Sequence, residues 1–258
     1  MLPNALTLGS VFCGFNAIRI VAKDNATVDD FYRAALLLMY AMVFDLLDGR
    51  VARLTRTQSA FGLQIDSLAD IVSFGVAPAL LVYKWVLIRH HLPGLFTAFT
   101  FTACAAIRLA RFNVISSSPA TGAPSKPGRY MVGLPTPAAA GILVALVVAN
   151  HAADGVLGDI RYTAVIYGVT LGLSGLMVST FKFRSFKDLR LNAGTVSLVL
   201  FVIGSSMYVA TQYKPQFVLA WLASMYVAIG IAETLLALAG SLRRKQPAAV
   251  RASVPPAR

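Results

Sequence analysis

The stretch DLLDGRVARLTRTQSAFGLQIDSLAD, from Asp45 to Asp70, sets four carboxylates into a sequence that is otherwise membrane-like: Asp45, Asp48, Asp66 and Asp70. Asp45 and Asp48 are spaced i,i+3 and Asp66 and Asp70 i,i+4, so helical segments place each pair on one face of its helix. Gly49 and Ala52 continue the Asp45 face and Gly62 precedes Asp66 by one turn, which leaves backbone that a bulky ligand can approach closely. Two helices presenting carboxylates to a shared space make a site for a hard cation, because Mg2+ and Mn2+ prefer oxygen ligands, and the partner of such a metal is typically a phosphate. Interfacial caps and salt bridges that happen to be acidic are the plain alternative. The cost of placing carboxylates inside apolar segments weighs against it.

Outside this stretch the chain reads as packaging in a bilayer. Of its 258 residues 57% are hydrophobic and 13% charged, and the mean hydropathy is +0.69, far too apolar for an ordinary soluble domain. The expected fold is all-α, a polytopic membrane helix bundle of about eight transmembrane helices, near 5–22, 31–48, 64–86, 94–113, 134–151, 162–181, 193–212 and 216–241. Fourteen basic residues fall in the loops and tail on the N-terminal side and six in the opposite loops, which places both termini and the acidic stretch in the cytoplasm. The formal charge of +12 is loop charge facing anionic lipid; the basic residues are not interleaved with aromatics, so nucleic acid is not an expected partner. Cys13 and Cys104 lack metal or disulfide spacing and read as small core residues. No basic n-region or cleavage site precedes the first apolar segment, which is expected to remain as a membrane helix.

Written by its fixed positions, the stretch is Asp45, Asp48-Gly49, Ala52-Arg53, Gly62, Asp66, Asp70, and it resembles the signature of the CDP-alcohol phosphatidyltransferases at every position. Three further stretches resemble the phosphatidylserine synthase branch of that family: Ser73 to Ala79, Cys104 to Asn113 and Gly133 to Ala140. With Leu2 to Thr7, which is similar to the Pro-Asn-x-x-Thr start of these transferases, the resemblance covers roughly residues 2–141. It implies attack of an alcohol on the lipid-side phosphorus of CDP-diacylglycerol with release of CMP, on one or two Mg2+ or Mn2+ ions held by Asp45, Asp48, Asp66 and Asp70. It assigns Asp70 as general base, and it implies a homodimer in a bacterial inner (cytoplasmic) membrane with its active site facing the cytoplasm.

Around that chemistry, Gly49, Ala52 and Gly62 leave room for the donor, and Arg53 is a cationic partner for its diphosphate unless it simply snorkels to the surface. Ser59 reads as the N-cap of the helix bearing Asp66 and Asp70, where a helix N-terminus favours phosphate. Asn4 and Thr7 read equally as donor contacts and as helix-start caps. Arg108 and Arg111, i,i+3 at the cytoplasmic end of the fourth span, suit the carboxylate of an amino-acid acceptor, or a phosphorylated one such as glycerol 3-phosphate. The resemblance turns that choice toward L-serine over glycerol 3-phosphate, inositol or inositol phosphate. An ion-coupled transporter is the alternative of another class, disfavoured because the carboxylates sit at span ends and no second copy of the motif exists. The expected layout is one transmembrane CDP-alcohol phosphatidyltransferase domain over 1–241 and a basic, disordered cytoplasmic tail over 242–258. The Ser/Pro/Gly-rich 115–132 reads as a connector or lid, and Glu233 as a buried, hydrogen-bonded group more than a substrate contact.

Overall fold

In the computed structural model, which describes residues 2–55, 59–117, 130–180 and 182–184 together with 201–202, 204–206, 208–209, 211–212, 217–218, 221–222, 224–225 and 227–229, the chain is overwhelmingly helical. Helix α1 (Leu2–Val21) buries Pro3, Thr7, Ser10, Gly14, Ala17 and Val21. These positions alternate steps of four and three, the seam of a helix packed lengthwise against neighbours. The buried seam is made of small residues while Leu8, Phe12 and Phe15 face outward. That is the inverse of a soluble amphipathic helix: lipid solvates the large apolar side chains, and small ones let backbones approach.

A capping box starts α2 (Val28–Leu54), the Thr27 side chain accepting from Asp30 N–H while the Asp30 carboxylate accepts from Thr27 N–H. Lys23 closes the α1–α2 turn on Asp30 at 2.9 Å. α2 outruns the span expected over 31–48 and stops only at Thr55, whose hydroxyl bonds the Val51 carbonyl at 2.7 Å. Asp45, Asp48, Gly49, Ala52 and Arg53 therefore share one helix.

Helix α3 (Ala60–Asp70) leads without a break through a wide, π-type stretch, Ile71–Val76, into α4 (Ala77–Trp85). Pro78 has no N–H to give the preceding turn, and the helix widens just before it: Ala77 N–H bonds the Val72 carbonyl five residues back. Thr102 from the next long helix donates to the Gly75 carbonyl at 3.3 Å, which ties α5 to the widened stretch. The chain continues as α5 (His91–Ser117), α6 (Thr136–Ala152) and α7 (Thr163–Val178).

The all-helical expectation needs one correction: β1 (Tyr130–Val132) pairs antiparallel with β2 (Lys182–Arg184), Tyr130 opposite Arg184. This ribbon joins the segments that lead into α6 and out of α7, and β1 takes the last residues of the 115–132 connector. At its other end that connector is shorter than expected, since α5 runs on to Ser117.

Side-chain contacts sort the helix ends into two levels. At one lie the start of α1, the end of α2, the start of α3, the end of α5, the start of α6 and the end of α7, as the pairs Thr7–Asp48, Ser67–Asn113, Arg108–Thr136 and Arg111–Val178 record. At the other, His151 meets Asp29 at 3.1 Å and stacks on Tyr32, and Gly158 N–H bonds Asn150. Between them sits the core, with Leu38, Phe74, Leu81, Phe101 and Leu143 fully buried. Cys13, Ala41, Phe74 and Ala140 meet where α1, α2, the π stretch and α6 converge, the small-residue packing expected of Cys13 and of the alanine run that begins at Ala138.

Four helices are long and apolar enough to cross a membrane, Pro3–Val21, Phe61–Trp85, Leu87–Val114 and Ile160–Val178, which makes this an integral membrane protein. Among the described residues the count is four because α2 carries charges at both ends and α6, though almost wholly buried, has only 17 residues. The spans expected at 193–212 and 216–241 are only partly described; Glu233, residues 118–129 and the tail 242–258 lie outside the described residues.

Candidate active site

Asp45, Asp48 and Asp66 converge: each offers an oxygen within 4.8 Å of the others. The convergence follows from the helix spacing, since Asp45 and Asp48 share a face of α2 and Asp66 lies on α3, which lines up beside the start of α1. Asp70, one turn beyond Asp66, reaches hydrogen-bonding contact with Asp45 and feels the charge of Arg108 of α5. Four carboxylates packed at this density, Asp48 buried and the others half-buried, repel one another unless a cation joins them. An all-oxygen donor set of this kind fits a hard divalent ion.

Hydrogen bonds tie Asp48 and the residues beside Asp66 and Asp70 to neighbouring helices. The Thr7 hydroxyl lies 2.6 Å from Asp48 Oδ2, with both residues buried. Arg108, also buried, donates from Nη1 to the Thr136 hydroxyl at 3.1 Å, and so stands between Asp70 and the first turn of α6. Ser67, next to Asp66, accepts from Asn113 Nδ2 at 2.9 Å, which ties α3 to the end of α5. One turn past Asp70, Ser73 donates to the Ser10 carbonyl at 3.1 Å and accepts from the Ser10 hydroxyl at 3.3 Å.

The remaining sequence-derived residues fall around this centre with distinct environments. Ser59 caps α3 as its type and position predicted, accepting from Gly62 N–H at 3.0 Å. A Cβ on Gly62 would sit 3.2 Å from the Ser59 hydroxyl and 3.7 Å from Asn4 Oδ1, so Asn4, Ser59 and Gly62 form one small cluster beside the carboxylates. A Cβ on Gly49 would meet nothing within 4 Å, which leaves open space along that face of α2. Ala52 is half-buried and Arg53 is exposed in the last turn. Arg111 does not point where Arg108 does: its Nη1 and Nη2 donate to the carbonyls of Val178 and Ser179, at the C-terminus of α7, at 3.2 and 3.4 Å. Cationic side chains favour helix C-termini.

Sequence reasoning did not single out Ser10, Ser67, Asn113 or Thr136. Three of them, Ser10, Ser67 and Thr136, are small hydroxyl residues within or opening apolar helices, a weak signal of interhelical bonding. Asn113 and Thr136 stood in stretches already quoted for their resemblance, without a role.

An integral membrane bundle with a partly buried acidic centre at one level of its helices defines a narrow class, and the family model for CDP-alcohol phosphatidyltransferase matches residues 1–176. The chain belongs to that family and is an enzyme of its class. It is 33% identical over 249 residues to the CDP-diacylglycerol–serine O-phosphatidyltransferase of Helicobacter pylori, covering 96% of this chain and 97% of that one. Proteins of the same name from Bacillus subtilis (33% over 187 residues, 72% and 91% covered) and Saccharomyces cerevisiae (36% over 138 residues, 53% and 49%) also match. The likeness thus extends well past residue 141, the limit of the quoted motifs.

Proposed function

We propose that this enzyme transfers a phosphatidyl group from CDP-diacylglycerol to L-serine, giving phosphatidylserine and CMP. The observation that carries the reading is the buried Arg108 beside Asp70: an arginine acting on the proposed base suits an acceptor that brings both a hydroxyl and a carboxylate. The serine specificity named in the relatives points the same way.

Asp45, Asp48 and Asp66, with Asp70 adjoining, would hold one or two Mg2+ or Mn2+ ions, which when bound supply charge neutralisation at the diphosphate and the departing CMP. The donor lies along the open face of α2 at Gly49 and Ala52 and against the Asn4–Ser59–Gly62 cluster, with Arg53 on its phosphates and Thr7 beside it through Asp48. Arg108 holds the serine carboxylate, which sets the serine hydroxyl toward Asp70. Asp70 takes that proton as the oxygen bonds to the lipid-side phosphorus and the bond from this phosphorus to the CMP oxygen breaks. Arg111, one turn on, walls the acceptor side by fixing the α7 end. The diacyl tails stay in the bilayer while the soluble acceptor comes from the cytoplasm. We assign the active end to the cytoplasmic face of a bacterial inner membrane, in a homodimer of eight-span protomers, with 1–241 as the catalytic domain and 242–258 as a basic tail.

The test offers purified protein CDP-diacylglycerol with serine, glycerol 3-phosphate, inositol or inositol phosphate in separate reactions and follows CMP. Serine is expected to be used and the others not; fast release with another acceptor and none with serine overturns the acceptor assignment. Arg108→Lys, which loses the bidentate fork, is expected to raise the serine KM by about tenfold or more while the CDP-diacylglycerol KM stays put.

A further inference from the structure

Thr7 sits on the buried seam of α1, 41 residues from Asp48 in sequence, and its hydroxyl has a single proton with two acceptors in reach. The Pro3 carbonyl is 3.1 Å away and Asp48 Oδ2 2.6 Å away. Pro3 O is already the acceptor that an α-helix supplies to the N–H four residues on. The shorter contact has the length of a hydroxyl bound to a charged carboxylate. The proton therefore belongs to Asp48.

We propose that Thr7 is a positioning residue for the metal centre: it clamps one oxygen of Asp48 so that the carboxylate meets Asp45 and Asp66 in a single orientation. A hydroxyl engaged in this way has no proton left for the nucleotide, which separates the role from the donor contact that the Pro-Asn-x-x-Thr resemblance implies. Burial supplies the stiffness. Thr7 is 5% and Asp48 4% exposed, so water does not compete for either partner. Threonine suits the position because its branched Cβ restricts the rotamers in a helix, which leaves few alternatives to the one that aims the hydroxyl across to α2. In metal sites such outer groups set ligand orientation and with it affinity.

The inference rests on the metal reading given above, and the experiment keeps the two apart. Mn2+ binding to full-length protein in detergent is measured by electron paramagnetic resonance for the parent, Thr7→Val, Thr7→Ala and Thr7→Ser. Parent and Thr7→Ser are expected to bind alike, and the two variants without a hydroxyl about 10–100-fold more weakly. In turnover, the Mn2+ needed for half-maximal CMP release rises in the Val and Ala variants, while the CDP-diacylglycerol KM at saturating Mn2+ returns to the parent value. Parent-like Mn2+ affinity in either hydroxyl-free variant overturns the proposal, as does a Thr7→Ser protein as weak as Thr7→Val. A raised donor KM with unchanged Mn2+ affinity would make Thr7 a donor contact instead. A parent that binds no cation overturns the metal reading itself.

Discussion

Asp70 differs from its three companions in what surrounds it: it touches Asp45 on one side and faces Arg108 on the other. It thus borders both the acidic trio and the buried arginine, the position that the proposed acceptor reading requires of a base. Asp70→Asn keeps the shape and removes the proton acceptor, so CMP release is expected to fall by about 10²–10⁴-fold with CDP-diacylglycerol binding retained. Near-normal turnover would remove Asp70 from the base role. The two arginines divide similarly. Arg111 holds the last carbonyls of α7, so Arg111→Lys is expected to lower the thermal midpoint in detergent more than it alters the serine KM, the reverse of Arg108→Lys. The i,i+3 spacing of the pair was legible in the sequence, whereas their divergence was not, because it depends on where α7 ends, 67 residues further on.

Among the elements, α1 is the one whose role the sequence understated. Ser59 could be read as a cap because N-capping is local chemistry, and the acidic faces could be read because helical spacing is. The partners of Thr7 and Ser10 could not be read, since they belong to helices whose relative rotation no local rule sets. Within α1, Gly14 marks the tighter approach: a Cβ there would come within 2.9 Å of Ser73 Oγ and 3.0 Å of Ser73 Cα, backbone that cannot swing aside. Gly14→Ala is therefore expected to destabilise the protein by about 1–3 kcal/mol, as overpacking does. Gly9→Ala, where the nearest atoms are ordinary contacts with the Phe44 ring at 3.6 Å, is the control and is expected to be neutral or stabilising. Equal thermal midpoints for the two variants would count against the close packing of α1 on the π stretch. That stretch was likewise outside the reach of pattern reading: Pro78 announced a disturbance, but whether the helix kinks or widens is not set by any local rule.

For the molecule as a whole, the alternation of helix ends predicts which loops share a side. Reporter fusions after Arg56 and after Arg190 are expected to report cytoplasm and one at Asp154, in the turn after α6, the opposite compartment. A cytoplasmic signal at Asp154 would break the eight-span layout. Hydropathy alone made the membrane class plain, yet it stopped short at the ribbon of β1 and β2, which forms only because the ends of α6 and α7 bring two distant triplets side by side.

The charges on α2 also bear on how the protein reaches its bilayer. They keep α2 off the set of helices apolar enough to cross on their own, while the short turn from Val21 to Val28, closed by Lys23 and Asp30, leaves it beside α1. During synthesis α2 is therefore expected to enter the membrane as the second arm of a hairpin whose first arm is α1, with Thr7 set against its acidic end. Sequence changes that weaken α1 are expected to be felt as failed insertion of α2, upstream of any effect on activity.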